Sequence, residues 1–219
     1  MVAKGQNAHV EAVPFQGQAF PWLRALGRAD YESTWRAMQA FTEGRTAETR
    51  DEIWIVEHSP VFTIGLNGTP DHLLRRSAIP VVHVDRGGQI TYHGPGQLVI
   101  YLLLDLRRRS YGVRELVRRM ERAVIALLAE EGVAAEGRVD APGVYVGAAK
   151  IAALGLRVKN GCCYHGLALN IDVDLAPFAD INPCGHAGMA VTRTRDLGLD
   201  LTVETAGARL SQHLLDLLD

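Results

Sequence analysis

Two residues of this sequence, Cys184 and Lys150, have the types and settings that nucleophilic chemistry needs. Cys184 stands in INPCGHAG, where the flanking proline and glycine shape the backbone and leave little room for a packed apolar site. A thiol on such a segment is open to reaction, although a buried structural cysteine is the alternative. Lys150 opens the otherwise apolar run KIAALGLRV, so its amine can enter a cleft, the alternative being a solvated lysine at a strand end. If the two side chains meet, the ammonium favours the thiolate, and the neutral amine can then act as a base.

The densest glycine cluster of the chain is RGGQITYHGPGQL, which runs from Arg86 to Leu98. Its glycines permit positive φ angles and a close approach of the backbone to a ligand. The cluster lacks the lysine of the Walker pattern and the helix-opening G-x-G-x-x-G context of dinucleotide sites, so nucleotide binding is not indicated. A ligand-binding loop and an elaborate hairpin are both consistent with these residues.

A metal site is a competing use of the cysteines and histidines, and its candidate ligands are Cys162, Cys163, His165, Cys184 and His186. Adjacent cysteines and a single Cys-x-His do not match the spacing of a zinc knuckle, so we predict no metal. His165 and His93 are better interpreted as hydrogen-bonding groups that line a pocket or are satisfied in the core.

The composition excludes several broad functions. The chain has 219 residues and a formal net charge of −2, which gives no overall attraction to nucleic acid or to an anionic membrane. The first residues lack the apolar core of a signal peptide, and no segment is long enough to span a bilayer. We therefore expect a cytoplasmic protein with free thiols, no membrane or nucleic-acid partner, and a single domain over residues 1–219.

Hydrophobic periodicity indicates the elements that must position these residues. Helical spacing predicts a helix over residues 20–41, a second from Val113 to Leu128 that stops before Gly132, and a C-terminal helix with Thr202 as its N-cap. Apolar runs between turn residues predict strands at 53–56, 61–65, 81–84, 98–106, 143–146, 150–158 and 164–173. The run at 98–106 is apolar throughout, which places it at the centre of a sheet. Because several links are too short for helical crossovers, the fold class is α/β of the α+β type, with a mixed, mainly antiparallel sheet packed with helices.

Four segments, taken together and in this order, resemble the signature series of the lipoyl(octanoyl) transferase family. They are RGGQITYHGPGQLVIYLLLDL, KIAALGLRV, CCYHGLALNIDVDLAPF and INPCG. The resemblance implies the catalytic fold of biotin and lipoate protein ligases and an acyltransferase without a cofactor. The implied donor is octanoyl-acyl carrier protein, and the implied acceptors are lipoyl domains of 2-oxoacid dehydrogenase complexes and the glycine cleavage H protein. Octanoyl is the implied acyl group, with lipoyl as a second.

The resemblance also implies roles for individual residues. Cys184 would carry the acyl thioester, and Lys150 would lower the pKa of that thiol and act as a general acid and base. The implied substrate-binding residues are Arg86, Gly87, Gly88, Gln89, Ile90, Thr91, Tyr92, His93, Ala153, Leu154, Gly155, Gly166, Leu167 and Ala168. Cys163 departs from the family pattern, which has a small hydroxyl residue at this position.

Two other classes of function stay open at this point. An ATP-dependent ligase on the same fold would make an acyl-adenylate, and a non-catalytic acyl-binding or metal-binding protein would keep the glycine loop without turnover. A row of basic residues, Arg114, Arg118 and Arg122, recurs every fourth position and is either a docking site for an acidic carrier protein or an ordinary solvated helix face.

Overall fold

The strands in the described part of the chain form one large and one small sheet. The computed structural model describes residues 21–75, 77–139, 141–182 and 189–218. In chain order its strands are β1 (Trp22–Ala29), β2 (Glu52–His58), β3 (Val61–Ile64), β4 (Val81–His83), β5 (Ile90–His93), β6 (Gln97–Asp105), β7 (Glu136–Gly137), β8 (Gly143–Val146), β9 (Ala149–Lys159) and β10 (Cys162–Asn170). A seven-stranded sheet has the order β1-β2-β6-β10-β9-β8-β7, and a three-stranded sheet has the order β4-β3-β5.

The strand directions confirm the predicted mixed, mainly antiparallel sheet. In the large sheet β1 runs parallel to β2, whereas the remaining described pairs are antiparallel. In the small sheet β3 is parallel to β4 and antiparallel to β5. Strand β5 lies inside the glycine cluster, so that cluster is a loop, a short strand and a turn rather than one continuous loop.

Within the described residues three α-helices cover the large sheet: α1 (Tyr31–Glu43), α2 (Val113–Glu130) and α3 (Val203–Leu218). The predictions of α2 and α3 are confirmed, and Thr202 caps α3 by accepting a 3.1 Å hydrogen bond from the backbone N–H of Thr205. Helices α2 and α3 pack together on one face of the sheet, and α1 packs on the other.

The prediction of one helix over residues 20–41 is wrong in its first half. Residues Trp22–Ala29 form the edge strand β1, and the helix begins only after Asp30, whose carboxylate accepts a 2.9 Å hydrogen bond from the N–H of Ser33. Trp22 and Leu26 match helical spacing, but the backbone of this segment pairs with β2 instead. Pairing with a distant strand decides the outcome here, because propensity in a short window is a weak preference.

The central position predicted for the run at 98–106 is confirmed by β6, which is buried along its whole length. Leu98, Ile100 and Leu102 face α2 and α3, whereas Val99 and Tyr101 face the side of α1. A strand that is covered on both faces needs apolar residues at every position, which explains the unbroken run. Across the described residues, no helix has the length and apolar character needed to cross a membrane.

Candidate active site

The segments expected to contact substrate meet around a single cavity of about 320 Å³. Its lining includes Lys150, the residues 86–91 with His93, the residues 153–155 and the residues 166–168. Tyr92 is the exception, because its ring packs against Phe62 and Phe178 in a separate apolar cluster. The structure thus brings together most of a residue set that is scattered along the sequence.

Cys184 lies outside the described residues, as does His186, so the role of this cysteine stays a prediction. The described residues on either side of that segment are held by hydrogen bonds or packing, and those that follow it lie at the site. Asn182 donates a 2.8 Å backbone hydrogen bond to His72, and Met189 lines the cavity. The backbone N–H of Lys150 donates to Ala190 at 2.8 Å, and Thr192 donates back to Lys150 at 3.0 Å. The chain that follows the Cys184 segment therefore runs beside Lys150.

Lys150 is buried on β9 with its amine at the cavity, as a cleft lysine should be. Its Nζ donates a hydrogen bond of 3.3 Å to the carbonyl of Pro142 and lies 5.2 Å from the centre of the Tyr145 ring. A Cβ atom built on Gly143 would stand 2.9 Å from Lys150 Cε and 3.3 Å from its Nζ. The glycine at this position therefore leaves the space that the lysine side chain occupies.

The glycine loop is held across β9 by its own backbone and by Arg86. The N–H of Gly87 donates to Leu156 of β9 at 2.9 Å, and Gly155 offers no Cβ, which would stand 3.1 Å from the Gly87 carbonyl. Arg86 is buried and donates to the carbonyl and hydroxyl oxygens of Thr63 at 2.6 and 2.7 Å. These contacts make Arg86 a support for the loop as well as part of the cavity wall.

A chain of buried hydrogen bonds joins His93 to the backbone beside Lys150. His93 Nδ1 donates to Gln97 at 2.7 Å, Gln97 donates to Asn170 at 2.9 Å, and Asn170 donates to the Thr192 carbonyl at 2.9 Å. Burial lowers the pKa of His93 to about 3, so the ring is neutral at physiological pH. His93 thus lines the cavity and is hydrogen-bonded, and its contact with substrate stays a prediction.

Sequence reasoning missed several residues of the site, including Asp85, Tyr31 and Tyr101. Tyr31 opens α1, lines the cavity and stacks on His93 with ring centres 5.6 Å apart. Tyr101 lies on the cavity face of β6 and hydrogen-bonds with His58 at 2.7 Å. Of these three residues, only Asp85 had a signal in the sequence, because it directly precedes Arg86 of the glycine cluster. The two tyrosines belong to elements that reach the site through tertiary packing.

The cysteines of β10 are buried free thiols. Burial raises the pKa of Cys163 to about 12, and its Sγ donates to the Leu102 carbonyl at 3.4 Å. A thiol so far from ionisation is a poor nucleophile. Within the described ranges no three histidine, cysteine or acidic side chains are arranged to hold a metal ion.

The fold and this cavity define the class of protein. In a structural comparison the chain matches lipoate-protein ligase A bound with ATP, with a TM-score of 0.76 and 16% identity over 91% of this chain and 85% of that one. It also matches the biotin protein ligase of Aquifex aeolicus, with a TM-score of 0.53 and 12% identity over 91% of this chain and 69% of that one. At these identities the likeness shows the fold alone, and it confirms the predicted biotin and lipoate ligase fold.

The sequence comparisons are more specific. The family model of the lipoyl protein ligase A/B catalytic domain matches residues 30–215. An octanoyltransferase of Chromobacterium violaceum is 65% identical over 88% of this chain and 93% of its own length. An octanoyltransferase of Dechloromonas aromatica is 63% identical over 91% of this chain and 97% of its own length. The chain therefore belongs to the lipoyl protein ligase A/B family and, within it, to the octanoyltransferases, and it is an acyltransferase.

Proposed function

We propose that this protein transfers an octanoyl group from acyl carrier protein to the lysine of a lipoyl domain, through a thioester on Cys184. The observation that carries the proposal is the buried Lys150 amine, which lies at a cavity beside the chain that leaves the Cys184 segment. Family membership supports the acyl group, because the relatives are octanoyltransferases.

The reaction would proceed as two acyl transfers. In the first, Lys150 takes the proton of Cys184, and the thiolate attacks the carbonyl carbon of the donor thioester. A C–S bond to Cys184 forms, the C–S bond to the carrier breaks, and the carrier thiolate takes the proton from Lys150. In the second, the neutral amine of the acceptor lysine attacks the same carbon. A C–N bond forms, the bond to Cys184 breaks, and the proton lost by the amine returns to the Cys184 sulfur through Lys150.

This chemistry needs no nucleotide or other cofactor. Exchange between two thioesters is nearly balanced in free energy, and formation of an amide from a thioester is downhill. The glycine loop of this chain supports the same view, because it lacks the Walker lysine and lies across β9 with its Gly87 N–H engaged by Leu156.

The substrate-binding residues belong to the proposal. The cavity lining supports Arg86 to Thr91, His93, the 153–155 segment and the 166–168 segment as contacts of the acyl group. Tyr92 would not contact the acyl group itself. Its ring would hold β5, the strand that carries Thr91 and His93, in place. The acceptors are proposed to be lipoyl domains of 2-oxoacid dehydrogenase complexes and the glycine cleavage H protein, and the predicted cytoplasmic location belongs with this proposal.

The deciding experiment measures transfer to a lipoyl domain with two donors. The protein is incubated either with octanoyl-acyl carrier protein or with octanoic acid, each with and without ATP and Mg²⁺. We expect transfer from the carrier donor in every case and none from the free acid. Transfer from the free acid that depends on ATP would make the protein a ligase, and binding without any transfer would make it an acyl-binding protein.

A further inference from the structure

We propose that His165, held in place by Asp85, is the end wall of the acyl slot and sets the longest chain that the enzyme transfers. This inference rests on the proposed function, because it concerns the acyl group that the cavity would hold. It assigns His165 a role in specificity rather than in the chemical step.

The floor of the slot is a patch of small residues on two neighbouring strands. Ala153 of β9 lies opposite Ala168 of β10, and Gly155 lies opposite Gly166. Residues directly opposite each other in an antiparallel pair share one face of the sheet. All of them line the cavity, and Tyr101 of β6, which is opposite Gly166 on the other side, bounds the patch. The small side chains of Ala153 and Ala168 leave a depression that an alkyl chain can fill. The space above Gly155 is taken by the Gly87 carbonyl and Arg86, and the space beside Gly166 is taken by the Ile100 backbone.

The backbone of His165 turns its ring toward this depression. By strand alternation residue 165 should share a face with Cys163 and Leu169, which pack into the core beneath α2 and α3. Instead His165 has a φ of +63°, in the left-handed region that residues other than glycine rarely adopt. Its ring stacks on Tyr164, with centres 5.1 Å apart, and meets the edge of Tyr101 at 6.1 Å. It therefore stands on the cavity face, next to Gly166.

Asp85 holds the ring in this position. Its carboxylate accepts hydrogen bonds from His165 Nε2 at 3.1 Å, from Trp35 at 2.8 Å and from Gln39 at 3.2 Å, and from the hydroxyl of Tyr164. Burial would raise the pKa of Asp85, but these donors together hold it well below its ordinary value, so the group is an anion. Asp85 thus connects α1, the start of the glycine loop and β10.

The charge state of His165 suits the wall of an acyl slot and does not suit a general base. Burial lowers the pKa of His165, with Asp85 opposing the shift, so the imidazole is neutral at physiological pH. Because Nε2 donates to Asp85, Nδ1 is the unprotonated nitrogen, and it is buried without a hydrogen-bond partner. The reacting carbonyl belongs near Lys150, at the opposite end of β9 from the residue that faces His165. The ring is therefore too distant to take part in the chemical step.

The length of the slot matches an eight-carbon chain. The Lys150 amine lies at Gly143, which pairs with Ala153, and Ala153 lies opposite Ala168 of β10. The three residue steps along β10 from Ala168 to His165 span about 10 Å at roughly 3.3 Å per residue. An extended octanoyl group has seven C–C bonds of about 1.5 Å in a zigzag and measures about 9 Å. A twelve-carbon chain is about 5 Å longer and would run into His165.

The test is the chain-length profile of transfer, with C6, C8, C10 and C12 donors on one carrier protein so that docking stays constant. For the wild type we expect the highest kcat/KM with C8 and a steep fall at C10 and C12. His165→Gly suits the positive φ and removes the wall. Its kcat/KM ratio of C10 to C8 should rise by about fifteenfold, because each additional buried methylene is worth about fourfold.

Two further variants separate the effect of the His165 ring from the effect of its backbone conformation. His165→Asn also tolerates a left-handed φ but is shorter, and Asp85→Asn keeps the ring while weakening its hold; both should shift the profile in the same direction by less. Asn160→Gly is the matched control, because Asn160 has a φ of +50° in the exposed turn between β9 and β10, away from the cavity. Its profile should equal that of the wild type.

The outcomes are distinguishable. A wild type that transfers C12 as well as C8, or a His165→Gly variant that loses all chain lengths in equal proportion while keeping its fold, would overturn the proposal. If His165→Gly does not fold, an unchanged profile in both His165→Asn and Asp85→Asn would overturn it equally. A wild type that transfers no acyl group from the carrier would instead refute the proposed function itself.

Discussion

The two faces of β10 show how one strand serves stability and function separately. Toward α2 and α3 it presents Cys163 and Leu169, which are buried in a continuous apolar core. Toward the cavity it presents Ala168, whose small side chain leaves an unfilled depression, and the displaced ring of His165. The packed face needs volume because an empty space there would cost stability. The cavity face needs the opposite, because its missing volume is supplied by a ligand.

The largest effect on the functional face should come from the proposed nucleophile. Incubation with octanoyl-acyl carrier protein should give a mass adduct on Cys184 that hydroxylamine removes. Cys184→Ala should lose the adduct and reduce transfer by about 10³-fold or more, because no thioester can form. Cys162→Ala and Cys163→Ala are the controls on the packed strand. Loss of activity in either of these, with Cys184→Ala active, would show that a different thiol reacts.

Lys150→Met should lower transfer by about 10²–10⁴-fold, the usual contribution of a positioned acid–base group. The loss of a neighbouring positive charge should also raise the pKa of the Cys184 thiol, so alkylation by iodoacetamide should be slow at neutral pH and recover as the pH rises. Lys159→Met, at the opposite end of β9 and exposed, should leave the alkylation rate unchanged. If the alkylation rate depended on pH in the same way in both variants, Lys150 and Cys184 would not interact.

On the face of β10 that packs against α2 and α3, a substitution should affect stability alone. Leu169 is fully buried among β6, β9 and the helices, so Leu169→Ala should lower the free energy of unfolding by about 2–5 kcal/mol. Urea denaturation measures this loss, and transfer per folded molecule should keep its preference for C8. A changed chain-length profile in this variant would contradict the division of roles between the two faces.

The smallest effect should come from the surface of α2. Arg114, Arg118 and Arg122 are exposed there, and Val113 of the same helix lines the cavity. If the carrier docks on this surface, Arg114→Glu combined with Arg122→Glu should raise KM for the carrier by about 3- to 10-fold and weaken its salt dependence. Arg36→Glu, an exposed arginine of α1, is the matched control. An unchanged KM would mean that these arginines of α2 form an ordinary solvated helix face and do not dock the carrier.

Much of the packed architecture was predictable because hydrophobic periodicity reports burial directly. The unbroken run of β6 indicated a strand covered on both sides, and the spacing of α2 and α3 indicated one apolar face. The strand β1 was mistaken for helix because its identity comes from pairing with β2, a segment about thirty residues away that no local window includes.

For the site, too, some features follow from the local sequence and others only from the tertiary structure. The sequence by itself indicated the residues proposed to carry the chemistry, since the lysine that opens an apolar strand, the Pro-Cys-Gly cysteine and the glycine cluster are local features of type and order. Only the tertiary structure decided that residues 86–91, 153–155 and 166–168 surround one cavity, and that Asp85 hydrogen-bonds His165 at its wall. The physical reason is that strand register, the opposite faces of adjacent strands and a single left-handed φ are set by contacts between segments far apart in the chain.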